Sequence, residues 1–304
     1  MNRQHDHHHH HSAPDYNRAF AVGVALNLGF VFIEAFYGFV SGSLALLTDA
    51  GHNLSDVIGL LLAWGASALA SRKPSERRTY GYSRATILAS LASGLLLLAA
   101  VGAITWEAVG RFFEPQLPSG KVMIIVAGIG VVINTITALF FLSGKDHDLN
   151  IRGAYLHMAA DAAVSLGVVI SGIVILQFGL AWVDPAISLV IAAVIFLSTW
   201  DLMRDSANLA VDAVPRNVEP ATVRAFLLSQ PGVSDVHDLH IWAMSTTDTA
   251  LTAHLVMPEP PGNDEFLHRV TQQLEKEHGI NHATIQVERG NGAAPCHQHR
   301  HCAD

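Results

Sequence analysis

His52 and Asp56 stand four residues apart, and so do His157 and Asp161. On an α-helix, positions i and i+4 lie on one face, so each segment offers one imidazole and one carboxylate from a single stripe. Two such stripes facing each other supply two nitrogens and two oxygens, a complete tetrahedral set for Zn²⁺. Two neutral imidazoles and two carboxylates also cancel the charge of a divalent cation, so an occupied site tolerates a low dielectric. The surroundings of TDAGHNLSD are apolar: SGSLALL precedes it and VIGLLLAWGASALA follows it. There an Asp costs about 2.5–3.5 kcal/mol on insertion scales. Repetition of the same pair in the same order favours metal ligation over two unrelated packing roles. Asp49, three residues before His52, reads equally as an accessory group at the metal and as a helix-end residue. Glu34 is a further carboxyl inside an apolar run, with a role the sequence leaves open.

The elements that must hold these stripes are apolar and long. Of 304 residues, 50% are hydrophobic and only 14% charged, with a mean hydropathy of +0.33; soluble domains carry about 25% charged residues. Six runs, 19–40, 44–70, 84–112, 121–143, 153–178 and 181–203, approach the roughly 20 residues that a spanning helix needs. A six-helix transmembrane bundle is expected, with the lipid bilayer as its first partner. The connections at 41–43 and 179–181 make helical hairpins. Arg18, Arg72, Lys73, Arg77, Arg78, Arg84, Lys145, Arg152 and Arg204 fall on one side, against Arg111 and Lys121 on the other. This bias puts both termini in the cytoplasm. Gly128, Gly130, Gly167 and Gly172 predict close helix packing, and Asn134 and Thr137 predict helix–helix hydrogen bonds.

Residues 207–290 have the composition of a soluble domain. Helices over 219–229 and 263–278, with strands over 233–243, 250–257 and 282–288, give the order αββαβ, a small α+β sandwich of ferredoxin-like type. In NHATIQVE, period-two alternation puts His282, Thr284, Gln286 and Glu288 on one face. Candidate ligands here are His237, His254, His282 and Glu288. The spacing of His282 and Glu288 along one strand is roughly 20 Å, too far to share an ion. His237 and His254, on neighbouring strands, can approach. The tails, 1–15 with HDHHHHH and 291–304 with CHQHRHC, read as metal-catching segments. Cys296 and Cys302 flank three histidines there, as in a soft-metal cluster. The organisation is thus a tail (1–15), a membrane domain (16–206), a soluble domain (207–290) and a second tail (291–304).

Other classes are disfavoured. Two cysteines exclude a disulfide framework and fit a reducing compartment. A net charge of −8 without a basic stripe argues against nucleic acid. No cleavable signal peptide is visible. No HExxH motif occurs, and the two HxxxD pairs complete a coordination sphere without leaving water a place, so an enzyme is not expected.

SGSLALLTDAGHNLSD, RRTYGYSRATILASL, NIRGAYLHMAADAAVSLGVVI, DPAISLVIA, VHDLHIW and HATIQVE, taken together, resemble the cation diffusion facilitator family in its bacterial zinc-transporting branch, from about residue 16 to 290. The resemblance implies six transmembrane helices, a cytoplasmic ferredoxin-like domain, a homodimer, an inner-membrane location, and export of divalent metal in exchange for protons. It places the transport ligands at His52, Asp56, His157 and Asp161, with Zn²⁺ as cargo and candidate regulatory ion. An Asp in place of the first His accompanies broader selectivity in the family. His237 and His254 fall in its cytoplasmic-site motifs. This chain departs from the family at Gln286, where some members carry a His two residues before the acidic ligand, here Glu288; that counts against a binuclear cytoplasmic site. A Cd²⁺, Co²⁺ or Fe²⁺ exporter of the same family and a membrane metal sensor are the alternatives.

Overall fold

The structure is a computed structural model that describes residues 16–142, 149–260 and 263–290. Six long helices come first: α1 (Tyr16–Ser41), α2 (Leu44–Ala70), α3 (Ala85–Phe113), α4 (Gly120–Leu142), α5 (Leu149–Phe178) and α6 (Val183–Ala210). Five of them contain spans long and apolar enough to cross a membrane by length and composition, and the described apolar part of α1 is Leu28–Ser41. Three boundaries differ from expectation by more than two residues. α1 starts at Tyr16 rather than 19, α5 starts at Leu149 rather than 153, and α6 runs to Ala210 rather than 203. Hydropathy marks where apolar surroundings end. Backbone hydrogen bonding continues through the polar turns of Asp201, Arg204 and Asp205.

The hairpin turns follow from glycine. Gly42 (φ 69°) ends α1 and Gly179 (φ 66°) ends α5, in the left-handed conformation that closes helices. Contacts divide the chain into two compact units, Met1–Ile58 with Leu97–Leu197, and Gly59–Leu96 with Ser198–Asp304. The first unit has its own core around Phe30, Leu46, Val101, Met123, Val168 and Ile191. In it α4 and α5 touch backbone to backbone. A Cβ on Gly120 would stand 2.5 Å from the Gly172 carbonyl oxygen, and one on Gly130 would stand 2.7 Å from the Phe30 ring. Gly128 and Gly167 would meet nothing within 4 Å, so the packing expectation holds for Gly130 and Gly172 alone. Thr137 donates to Ile133 O within its own helix, and the buried Asn134 side chain makes no hydrogen bond among the described residues. Neither is the helix–helix link expected of it.

A polar knot fixes the start of α2 in the same unit. Ser43 caps the helix, its Oγ accepting from Leu46 N at 3.2 Å as an N-cap residue does. Asp184, wholly buried in the first turn of α6, accepts from Ser43 Oγ (2.7 Å), Leu44 N (2.7 Å) and Ala45 N (3.2 Å). Arg111 of α3 stands 3.5 Å from its Oδ2. A carboxylate at a helix N-terminus satisfies amides that the helix leaves unpaired.

The second unit contains α7 (Pro220–Leu228), β1 (Asp235–Ala243), β2 (Thr249–Val256), α8 (Glu265–His278) and β3 (His282–Glu288), the αββαβ order of the sequence. The sheet order is β1-β2-β3, antiparallel between β1 and β2 and parallel between β2 and β3. Leu251, Ala253 and Leu255 of β2 pack on Val223 and Leu227 of α7 and on Phe266, Val270 and Leu274 of α8. The alternate positions of β2, His254 among them, therefore line the opposite face. Leu255→Ala is expected to destabilise this unit by about 2–5 kcal/mol, the usual cost of a core Leu truncation, measured as a lowered Tm of the purified full-length protein. An unchanged Tm would mean that this core does not hold the sheet.

Candidate metal centres

The two sequence pairs meet. His52 Nε2 lies 3.6 Å from Asp56 Oδ2 and 3.6 Å from Asp161 Oδ1, while His157 Nε2 lies 3.4 Å from Asp56 Oδ2 and 3.6 Å from Asp161 Oδ2. The four side chains form a ring in which each imidazole adjoins both carboxylates. Bonds of about 2.0–2.1 Å make tetrahedral edges of about 3.3 Å, close to the sides of this ring. The diagonals are wider. Among the described residues, three ligand atoms all within 4.8 Å of one another occur only at His237, His254 and Glu288. An ion in the membrane ring would draw its diagonal partners inward. Asp161 is 1% exposed and His157 44%, so the ring is closed at one corner and open at the other.

Among the described residues, the hydrogen bonds of Asp49 go to groups outside this ring. Its Oδ2 accepts from Ser165 Oγ at 2.8 Å and its Oδ1 from Asn53 Nδ2 at 3.4 Å. Ser165 and Asn53 were not singled out in the sequence. Both sit one helical turn beyond a singled-out residue, Asn53 four after Asp49 and Ser165 four after Asp161, and that i+4 recurrence is the signal that could have found them.

In the soluble domain, β1 carries a register shift between His237 and His240, with Asp238 at φ 51°, a β-bulge that redirects side chains. His237 stays paired with His254, and His254 with Gln286. Glu288, two residues further on, reaches back diagonally: its Oε1 is 2.9 Å from His254 Nδ1 and its Oε2 is 3.3 Å from His237 Nε2. On the far side of the His254 ring, Nε2 faces Asp238 Oδ2 at 3.5 Å. A proton on Nε2 shared with that carboxylate leaves the Nδ1 lone pair free, the arrangement that orients a ligating imidazole. The donor set of two imidazoles and one carboxylate fits a divalent metal of zinc type. His282 is not part of it. Its ring lies edge-on to Tyr80, centroids 5.5 Å apart, at the far end of β3, as the strand spacing required. Cys296, Cys302 and the His5–His11 run lie outside the described residues.

Apolar helices of spanning length define a membrane protein, and the His/Asp ring inside them is its candidate metal centre. Residues 20–209 match the family described as "Cation efflux transmembrane domain", and residues 215–290 that described as "Cation efflux protein, cytoplasmic domain". The chain belongs to the cation efflux family. It is 36% identical over 265 residues to the "Cadmium, cobalt and zinc/H(+)-K(+) antiporter" of Bacillus subtilis, covering 86% of this chain and 85% of that one. It is 37% identical over 282 residues to the "Metal cation efflux system protein CzcD" of Cupriavidus metallidurans (92% and 88%). It is 33% identical over 300 residues to the "Zinc transporter ZitB" of Escherichia coli (98% and 94%).

Proposed function

We propose that this protein exports Zn²⁺ from the cytoplasm in exchange for protons, with His52, Asp56, His157 and Asp161 as the transport ligands. The observation that carries the reading is the ring itself: two HxxxD pairs from two helices converge with nitrogen–oxygen separations of 3.4–3.6 Å. The names of the relatives, a Cd/Co/Zn antiporter, a metal cation efflux protein and a zinc transporter, support metal efflux as the activity. The protein is then a carrier rather than an enzyme. Zinc binds deprotonated imidazoles and ionised carboxylates. Protons compete for the same groups where the site faces an acidic exterior, and imidazole exchanges protons near neutral pH. Rearrangement of the helices gives alternating access.

The same proposal places six spanning helices, α1 included, in residues 16–206, and a ferredoxin-like cytoplasmic domain in residues 207–290. Both termini are cytoplasmic, the location is the inner membrane, and the assembly is a homodimer. The family description of a cytoplasmic domain over 215–290 and the basic residues of the 72–84 loop support that topology. In the soluble domain, His237, His254 and Glu288 take a single regulatory ion, and the Cys/His residues of the tails catch metal.

Two measurements test the ligand assignments. His52→Asp replaces one imidazole by a harder, charged oxygen ligand and is expected to relax zinc-over-cadmium preference in vesicle transport; an unchanged preference would remove His52 from the ligand set. Glu288→Ala is expected to lower the zinc bound per protomer by one equivalent in calorimetric titration of the purified protein. Wild-type stoichiometry in that variant would mean that the soluble site holds no ion.

A further inference from the structure

Glu34 of α1 is 0% exposed, and neither of its carboxylate oxygens receives a hydrogen bond from the described residues. The polar side chains next to its carboxyl are Asp49 and Asn53, both on α2. Asp49 is equally buried and its own oxygens are engaged by Ser165 and Asn53. Asn53 Oδ1 is a further acceptor without a donor in the same place. Two ionised carboxylates only accept hydrogen bonds. Meeting as ions in a dry helix bundle, they would leave Glu34 unsolvated beside a like charge, a costly arrangement. One proton resolves it. A neutral Glu34 donates to Asp49 or to Asn53 Oδ1, and the pair keeps a single negative charge.

The other titratable groups facing the pair are Asp161 on α5 and His52 on α2. α4, whose Gly130 abuts Phe30 of α1, carries Lys121 in its first turn as its one titratable residue. Glu34 is remote in sequence from all four proposed metal ligands, and among the described residues no ion pair joins it to them.

We infer that Glu34 and Asp49 form a proton-binding site, separate from the metal ligands, whose shared proton is exchanged during transport. The inference rests on the antiport reading. In the dry arrangement seen here the pair holds its proton. When α1 and α2 part, or water reaches them, both carboxylates regain solvation and the proton leaves to that side as hydronium. Return to the dry state from the opposite side takes up a proton from water there. Only an O–H bond is made and broken, and one proton moves per cycle in addition to those that displace zinc.

The test combines infrared spectroscopy with transport on the full-length protein in bilayers. Wild type should show the carbonyl-stretch band of a protonated carboxylic acid, and Glu34→Gln, which keeps the shape of the neutral acid, should lose it. In vesicles, Glu34→Gln should still bind zinc and should move one proton fewer per zinc than wild type. A band that persists in Glu34→Gln overturns the inference. So does an unchanged proton-to-zinc ratio in that variant, and so does a missing band in wild type with a requirement for sodium or potassium in its place. Should Glu34→Gln fail to bind zinc, Glu34→Asp, which keeps the acid, must retain both the band and the wild-type ratio, and failure there overturns it equally. Wild-type vesicles without gradient-coupled flux would instead overturn the antiport reading, while the infrared band still reports on the pair alone.

Discussion

Asp161→Ala is expected to abolish zinc flux while the protein still folds. Asp161 is the buried corner of the ring, and its two oxygens face the two histidines at 3.6 Å each. Removing it would take away one of the four proposed ligands and one of the two negative charges proposed to balance the ion. A divalent cation would then carry an uncompensated charge in a low dielectric. Loss of a group outside the coordination sphere already costs about 10–100-fold in metal affinity, so loss of a ligand should cost more than about 100-fold. Alanine is the best helix former, so α5 should persist. The check is zinc uptake into vesicles beside the circular-dichroism spectrum of the purified variant. Wild-type uptake by a folded Asp161→Ala protein would remove this residue from the transport site.

Asp184→Ala acts through the fold. Its carboxylate receives the Ser43 hydroxyl and two backbone amides of α2 and stands beside Arg111. Arg111 is 10% exposed, so the truncation leaves a buried guanidinium with less compensation and the α2 N-terminus with unpaired amides. Breaking a buried pair by removing one partner costs about 3–5 kcal/mol. α2 carries His52 and Asp56, so a loosened N-terminus also displaces half of the metal ring. Thermal unfolding should show a clear drop in Tm for Asp184→Ala and a smaller one for Asp184→Asn, whose carbonyl still accepts from the amides. Equal Tm values for wild type and Asp184→Ala would show that the knot does not hold α2.

The parts legible in the sequence were those with a local period. The i+4 spacing of His52/Asp56 and His157/Asp161 placed each pair on one helical face, and the αββαβ order of residues 220–288 followed from alternation and from apolar residues one turn apart. The rise per residue along a strand also separated His282 from Glu288 correctly, at opposite ends of β3. What stayed hidden depends on bringing distant residues together. Asp184 precedes a proline in the sequence, and only the folded chain brings it to the amides of Leu44 and Ala45. The bulge at Asp238 breaks the alternation of β1 and sets Asp238 against His254, which strand periodicity could not foresee. Asn134 and Thr137 illustrate the reverse error. A polar residue in an apolar helix need not bond to a neighbouring helix, since a threonine hydroxyl finds the carbonyl one turn back.

The measurement that bears most directly on the account is zinc flux into proteoliposomes under an imposed pH gradient, for wild type and for Asp56→Ala/Asp161→Ala. The account predicts flux in wild type that collapses with the gradient and is absent from the double variant. Flux independent of the gradient, or undiminished in the double variant, would contradict it.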